Sequence, residues 1–276
     1  MLQPKWLLFY APAVLAIGLA LWIHFQALDK QLFIELNQLC AKLPEPLWAC
    51  ITICGHTSVA FALLSICLRS KPAWILACFA GAPVAGLVTS MSKAAFPRGR
   101  PASELAVDQI HIIGQKLMHN SFPSGHSLTA AAVAAAVIAA DWGKPRTPAR
   151  VAICAVLLIY VVSVALSRVA VGAHWPIDTL VGGTLGWICG MFGARFVRRY
   201  PRVIESAHWQ TIAAMLTLTS TLFLLNTNTG YPQAQALLFV AVFVGSSSCL
   251  WVIASHWPHL RQWPHLLRMQ AAKLLG

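Results

Sequence analysis

The chain has 276 residues, of which 58% are hydrophobic and only 10% are charged. Soluble domains carry about 25% charged residues, so this composition excludes an ordinary soluble protein, and the apolar content equally excludes a disordered chain. The formal net charge of +12 does not indicate nucleic-acid binding, because most basic residues lie in short loops between apolar segments. The sequence therefore predicts an integral membrane protein.

Eight apolar segments are long enough, or nearly so, to cross a membrane as helices, which takes about 20 residues. Between the first two, Asp29–Lys42 has apolar residues at helical spacing and predicts an amphipathic helix at the membrane surface. Tryptophans cluster at the segment ends, as in an interfacial belt. The eight segments are Trp6–Phe25, Leu47–Leu68, Ala73–Met91, Ser124–Ala140, Val151–Leu166, Trp175–Phe192, Trp209–Leu225 and Ala234–Ala254.

We therefore predict an all-α, polytopic transmembrane helical bundle with two parts. Residues 1–200 form a six-span core, and residues 201–276 add a two-span hairpin and a basic interfacial tail. The polar tip of the hairpin, residues 226–231, carries no charge and gives no sign of a catalytic role. The eight cysteines lie almost all in apolar segments and form no Cys-x-x-Cys pair, which argues against a metal or redox role.

Lysine and arginine are unequally distributed over the loops. With the N-terminus in the cytoplasm, 13 of the 20 basic residues fall on the cytoplasmic side. The positive-inside rule thus predicts that both termini are cytoplasmic. Basic residues on the outer side oppose this bias and need another reason. Most of them fall within two of three polar segments that the topology brings to the outer face, namely Lys93–Pro101, Pro123–His126 and Ser167–Asp178.

These segments carry the groups that bind and attack a phosphate. Three cations, Lys93, Arg100 and Arg168, suit a tetrahedral oxyanion. Ser124 and Gly125 open a helix whose first N–H groups lack intrahelical partners and form an anion cradle.

Two histidines and an aspartate complete the predicted site. His174 and Asp178 are spaced i, i+4, so a hydrogen bond between them would fix the imidazole tautomer and leave the other nitrogen free to attack. His126 supplies a second imidazole that can protonate a leaving alkoxide.

The three segments resemble the signature of the membrane members of the type 2 phosphatidic acid phosphatase and haloperoxidase superfamily. That signature is Lys-x6-Arg-Pro, Pro-Ser-Gly-His and Ser-Arg-x5-His-x3-Asp, and it stands here without departure, beginning at Lys93, Pro123 and Ser167. The resemblance covers residues 30 to 195 and not the last two predicted spans.

The resemblance implies a mechanism in which His174 forms a phosphohistidine, Asp178 orients His174, and His126 acts as general acid. No metal or other cofactor is expected. The implied phosphate-binding residues are Lys93, Arg100, Ser124, Gly125 and Arg168.

The implied function is that of an inner-membrane, metal-independent lipid phosphatase whose site faces the periplasm. Its partners would be the bilayer and a membrane lipid phosphate: undecaprenyl pyrophosphate, lipid A 1-phosphate, phosphatidylglycerol phosphate or phosphatidic acid. Two alternatives stay open, a lipid phosphotransferase using the same phosphohistidine, and a transporter or scaffold without catalysis. The oligomeric state and the role of the linker 102–122, as lid or as plain amphipathic connector, stay open as well.

Overall fold

The computed structural model describes residues 4–261, which form twelve α-helices and confirm the predicted all-α bundle. Every predicted apolar segment corresponds to one or two of these helices, with ends that differ by a few residues. The predicted basic tail beyond residue 261 lies outside the described residues. The helices are α1 Pro4–Phe25, α2 Asp29–Cys40, α3 Glu45–Cys54, α4 Thr57–Leu64, α5 Pro72–Ala95, α6 Pro101–Glu104, α7 Gly125–Ala140, α8 Pro148–Ala170, α9 Pro176–Arg199, α10 Pro201–Glu205, α11 Ala207–Phe223 and α12 Gln235–Arg261.

Among residues 4–261, four segments have the length and hydropathy of a complete membrane span: α5, α8, α9 and Pro232–His256. Two bent helix pairs, α1 with α2 and α3 with α4, raise the number to six if each pair counts as one span. The other two predicted spans correspond to α7, an apolar helix of 16 residues, and α11, of 17 residues. The predicted amphipathic segment is a separate helix, α2, which leaves α1 at 112°.

The second apolar segment differs from the predicted continuous helix. It is divided into α3 and α4, which meet at 76° around Gly55 and His56. A side chain at Gly55 would meet Val164 Cγ1 at 2.6 Å and His126 Cβ at 2.9 Å, so the chain at the break packs directly against α8 and α7. The residues on both sides of the break are apolar, so the hydropathy pattern does not reveal the bend. The consequence is that His56 comes close to the predicted site.

Close packing between α7 and α9 sets the position of two of the three motifs. Gly182, Gly186 and Gly190 follow one another at i, i+4 spacing on α9. A Cβ at these positions would lie 2.5, 2.0 and 2.1 Å, respectively, from the backbone carbonyl oxygens of Ser124, Leu128 and Ala132, which belong to α7 or its cap. Small residues at such spacing let two membrane helices approach backbone to backbone.

The C-terminal hairpin packs on the core through α4 and reaches the linker 102–122. Helices α11 and α12 contact each other and α4. At the tip of the hairpin, Gly230 O accepts a hydrogen bond from Gln115 N at 3.1 Å. Gly114 has φ +79°, and a Cβ there would lie 2.2 Å from the same carbonyl oxygen, so this contact requires glycine. The linker is therefore clamped between the hairpin and the core.

Candidate active site

The predicted site forms where the beginnings of α7 and α9 meet. Ser124 is the N-cap of α7, and its hydroxyl accepts a hydrogen bond from Ser127 N at 3.5 Å. Its own backbone N–H donates to the carbonyl of Asp178 at 3.0 Å. The glycine contacts and this bond together fix the N-terminus of α7 beside the first turn of α9.

His174 lies in the loop between α8 and α9 and is only 3% exposed. Its Nε2 is 3.3 Å from Nη1 of Arg100, and its Nδ1 faces Ser121 Oγ at 3.5 Å. Burial, followed by the positive charges of Arg168, Arg100 and Lys93, lowers the pKa of His174 well below its ordinary value. The imidazole is therefore neutral at neutral pH, with a lone pair that can act as a nucleophile.

Asp178 lies beneath His174 and is fully buried. Its Oδ2 is 3.7 Å from Nδ1 of His174, which is ion-pair range but longer than the hydrogen bond that the spacing predicted. Ser121 contacts both groups, because its hydroxyl donates to the same Oδ2 at 2.5 Å. The carboxylate also accepts from Trp175 N at 3.1 Å and from Arg98 Nη1 at 2.9 Å.

Arg98 joins two carboxylates from different parts of the chain. Besides Asp178 it binds Oδ2 of Asp29, at the start of α2, at 2.6 Å. Asp29 in turn accepts from Ile177 N at 3.0 Å, so α2 is tied to the first turn of α9. Burial by itself lowers the pKa of Arg98, but the Asp178 and Asp29 carboxylates outweigh it and raise the pKa. Arg98 thus holds Asp178 and does not belong to the free cations of the site.

Arg100 and Lys93 are held by backbone carbonyls of the linker. Arg100 Nε donates to His119 O at 2.7 Å, and its Nη1 donates to Ala173 O at 2.9 Å. Lys93 Nζ donates to Asn120 O at 2.9 Å. Burial, followed by repulsion from Arg168, lowers the pKa of Arg100 to about 10. No carboxylate bonds to either cation among the described residues, so both are available to an anion.

Arg168 is 2% exposed at the C-terminal end of α8. Its Nη1 donates to the hydroxyls of Thr52 and Tyr231, the latter at 2.9 Å. Its Nε is buried and has no hydrogen-bond partner among residues 4–261. A buried guanidinium N–H without a protein partner is a donor that an anion could satisfy.

His126, in the first turn of α7, lines a cavity of about 460 Å³ between the α3–α4 break, α5 and α7. His56 lines it too, with its ring centroid 6.1 Å from that of His126 and its buried Nδ1 without a partner in the described part of the chain. Gly86 and Gly125 also line this cavity, and a Cβ at either would meet nothing within 4 Å. A second, apolar cavity of about 560 Å³ lies between α1, α2, α8 and α9.

The structure thus brings together the cations, the imidazole of His174 and Asp178, with His126 lining the adjacent cavity. Within residues 4–261 no group of three or more His, Cys, Asp or Glu side chains is arranged to hold a metal ion. Sequence reasoning missed Ser121, Arg98 and the pair Thr52 and Tyr231. Only Arg98 could have been found from the sequence, because it lies inside the first motif. Ser121, Thr52 and Tyr231 reach the site through contacts with residues distant in sequence.

The fold is that of a polytopic membrane protein, a bundle of apolar helices that carries a buried histidine–aspartate pair beside three cations. The sequence model of the PAP2 superfamily matches residues 72–202, which contain all the predicted site residues. This match confirms, over residues 72–202, the resemblance predicted from the motifs.

Two kinds of relative agree with this assignment. Phosphatidylglycerophosphatase B of Escherichia coli K12 is 36% identical over 73 residues, which are 26% of this chain and 27% of that protein. The same protein of Shigella flexneri gives the same match, so the aligned part spans about a quarter of these relatives. The crystal structure of Aquifex aeolicus LpxE superposes with a TM-score of 0.52 at 25% identity, over 61% of this chain and 95% of that chain.

Proposed function

We propose that this chain is an integral membrane lipid phosphatase. It hydrolyses a phosphomonoester or pyrophosphate of a membrane lipid through a phosphohistidine on His174, without a metal ion. The observation that carries the proposal is the placement of His174: Nε2 faces Arg100 at 3.3 Å, while Nδ1 faces Ser121 and Asp178. A neutral imidazole held in this way presents its lone pair to the place where cations would hold a phosphate.

The first step is attack of Nε2 on phosphorus as the bond from phosphorus to the lipid oxygen breaks. His126 donates a proton to the departing oxygen. The imidazole of His174 becomes cationic, and the Asp178 carboxylate, joined to it by Ser121, stabilises that charge. In the second step water attacks the phosphohistidine, His126 accepts its proton, and inorganic phosphate leaves His174 free.

The phosphate oxygens are bound by Lys93, Arg100, Arg168 and the N-terminus of α7 at Ser124 and Gly125. The unpartnered Nε of Arg168 and the absence of carboxylates on Lys93 and Arg100 among the described residues support this role. Cations and helix N–H groups aimed at the transferred phosphoryl group are the main source of rate enhancement in such reactions.

The lipid part of the substrate lies in the cavity beside His126. A general acid must reach the leaving oxygen, so the organic group is on the side of His126. That cavity has polar groups at its His126 end and small residues of α5 along its wall, including Gly81 and Gly86. The second cavity has none of the proposed catalytic side chains in its lining.

We further propose that the protein resides in the inner membrane with both termini in the cytoplasm and the site facing the periplasm. The excess of basic residues on the cytoplasmic side supports this orientation. The name of the Escherichia coli relative makes phosphatidylglycerol phosphate the first substrate to test. Undecaprenyl pyrophosphate, lipid A 1-phosphate and phosphatidic acid complete the panel.

The test is phosphate release by the purified protein from these four lipids in the presence of a metal chelator, beside His174→Ala. We expect release that survives the chelator and is lost in the variant. Loss of release on chelation would contradict the metal-independent mechanism. Transfer of the phosphoryl group to a second lipid instead of water would reassign the protein as a phosphotransferase. The absence of both phosphate release and phosphoryl transfer would overturn the enzymatic function.

A further inference from the structure

The contacts of Arg168 reach outside the segment shared with the PAP2 superfamily. Arg168 lies within the matched residues 72–202, but its two hydroxyl partners do not. Thr52 is in α3, one turn before the break, and Tyr231 is at the tip of the C-terminal hairpin. Both side chains are almost completely buried, at 0% and 6% exposure.

A buried cation that binds an anionic substrate needs polar contacts that leave its charge available. Hydroxyl oxygens accept hydrogen bonds from a guanidinium without neutralising it, whereas a carboxylate would pair with it and compete with phosphate. Both hydroxyls take their bonds from the same nitrogen, Nη1 of Arg168. The Nε on the other edge of the guanidinium is left buried and unpartnered in the described part of the chain.

Tyr231 is itself held firmly from two sides. The preceding residue, Gly230, bonds through its carbonyl to Gln115 N at 3.1 Å and through its N–H to Asn228 Oδ1 at 2.9 Å. The carbonyl of Tyr231 accepts from Ala234 N at 3.1 Å. The guanidinium of Arg168 also lies over its ring, with Cζ 5.9 Å from the ring centroid. The tip of the hairpin is therefore a fixed support and not a free loop.

We propose that Tyr231 is a positioning residue for Arg168: together with Thr52 it holds Nη1 so that the Nε edge faces the phosphate. The C-terminal hairpin is then required for phosphate binding, although it lies outside the PAP2 segment and contributes no catalytic residue. This inference rests on the proposed function, which assigns Arg168 to the phosphate.

The test compares Tyr231→Phe with Tyr160→Phe as a matched control. Both substitutions remove one hydrogen-bonded phenolic hydroxyl, because Tyr160, on the same helix as Arg168, donates to Cys54 O at 2.8 Å. The readout is the inhibition constant of inorganic phosphate and of orthovanadate, measured with kcat, KM and the thermal midpoint. We expect both inhibition constants to rise about tenfold in Tyr231→Phe, since a hydrogen bond to a charged group is lost, and to stay unchanged in Tyr160→Phe.

A double-mutant cycle separates positioning from general support of the fold. In an Arg168→Gln background, Tyr231→Phe should have no further effect on phosphate inhibition, because the group it positions is gone. The inference would be overturned if Tyr231→Phe left the inhibition constants unchanged. It would also be overturned if Tyr231→Phe raised them by the same factor with and without Arg168. If the wild-type protein neither releases phosphate nor is inhibited by it, the proposed function fails instead. Activity with no effect of Tyr231→Phe refutes the positioning role alone.

Discussion

Replacing Ser121 by alanine removes a side chain that contacts both His174 and Asp178. Its hydroxyl donates to Asp178 Oδ2 at 2.5 Å and lies 3.5 Å from His174 Nδ1. A hydrogen bond to a charged group contributes about 1.5–3 kcal/mol, which corresponds to a 10- to 150-fold change in rate. The carboxylate keeps its bonds to Trp175 N and Arg98, so we expect the lower part of this range.

The effect should appear in kcat and not in KM. Ser121 has no assigned contact with the phosphate, and its contribution grows as His174 becomes cationic during attack. The assay is steady-state release of phosphate from a lipid phosphomonoester in detergent, with the thermal midpoint recorded for each variant. Ser65→Ala is the matched control, because Ser65 is 1% exposed and its hydroxyl donates to a carbonyl, that of Ala62, at 2.6 Å.

An unchanged kcat in Ser121→Ala would refute this part of the mechanism. It would mean that Asp178 acts on His174 directly, across the 3.7 Å gap, or that His174 needs no orientation. An equal fall in kcat for Ser65→Ala would instead attribute the effect to the loss of any buried serine hydroxyl.

Three further predictions follow from the geometry. Gly186→Ala should lower the thermal midpoint and cost about 1–3 kcal/mol or more of stability, because its Cβ would meet Leu128 O at 2.0 Å. Gly183→Ala is the control, since a Cβ there meets nothing within 4 Å. Equal midpoints in the two variants would contradict the close packing of α7 on α9. Gly86→Leu fills the cavity beside His126 and should impair hydrolysis of long-chain lipid phosphates but spare a short, water-soluble phosphomonoester. Gly183→Leu fills the apolar cavity and should spare hydrolysis of both substrates. The opposite pattern would place the lipid in the apolar cavity. The pKa of His174 is lowered, so its nucleophilic neutral form persists as the pH falls below the ordinary histidine value of about 6.5. With the substrate's own ionisation corrected for, the acid limb of kcat/KM, which reports protonation of His174, should therefore lie below that pH. An acid limb centred on the ordinary value would show that burial and the neighbouring cations do not lower the pKa of His174.

The helical architecture was accessible from sequence because hydropathy reports directly on helices that lie in lipid. The break between α3 and α4 was not, because both halves are apolar and the cause is a contact of Gly55 with residues more than 70 positions away, such as His126. The side-chain spacing correctly predicted that His174 and Asp178 lie close together, but it did not predict how they interact. The i, i+4 rule places two side chains on one helix face, and it does not show that Ser121, from the linker, contacts both.

The candidate site was predictable to the extent that it is contained in local motifs. Lys93, Arg100 and Arg168 stand in such motifs, but their partners come from the linker, α3 and the hairpin. The uncharged tip of the hairpin gave no sequence signal, because a neutral hydroxyl next to a buried cation is indistinguishable in sequence from an ordinary loop tyrosine. The function of Tyr231 depends on long-range packing that no spacing rule describes.

The stereochemistry of phosphoryl transfer tests the central claim, a covalent intermediate on His174, most directly. A lipid thiophosphomonoester made chiral with oxygen isotopes is hydrolysed in water of a third isotope, and the configuration of the released thiophosphate is determined. Two successive in-line displacements, first by His174 and then by water, predict net retention at phosphorus. Net inversion would mean that water attacks the substrate in a single step, and it would contradict the phosphohistidine mechanism.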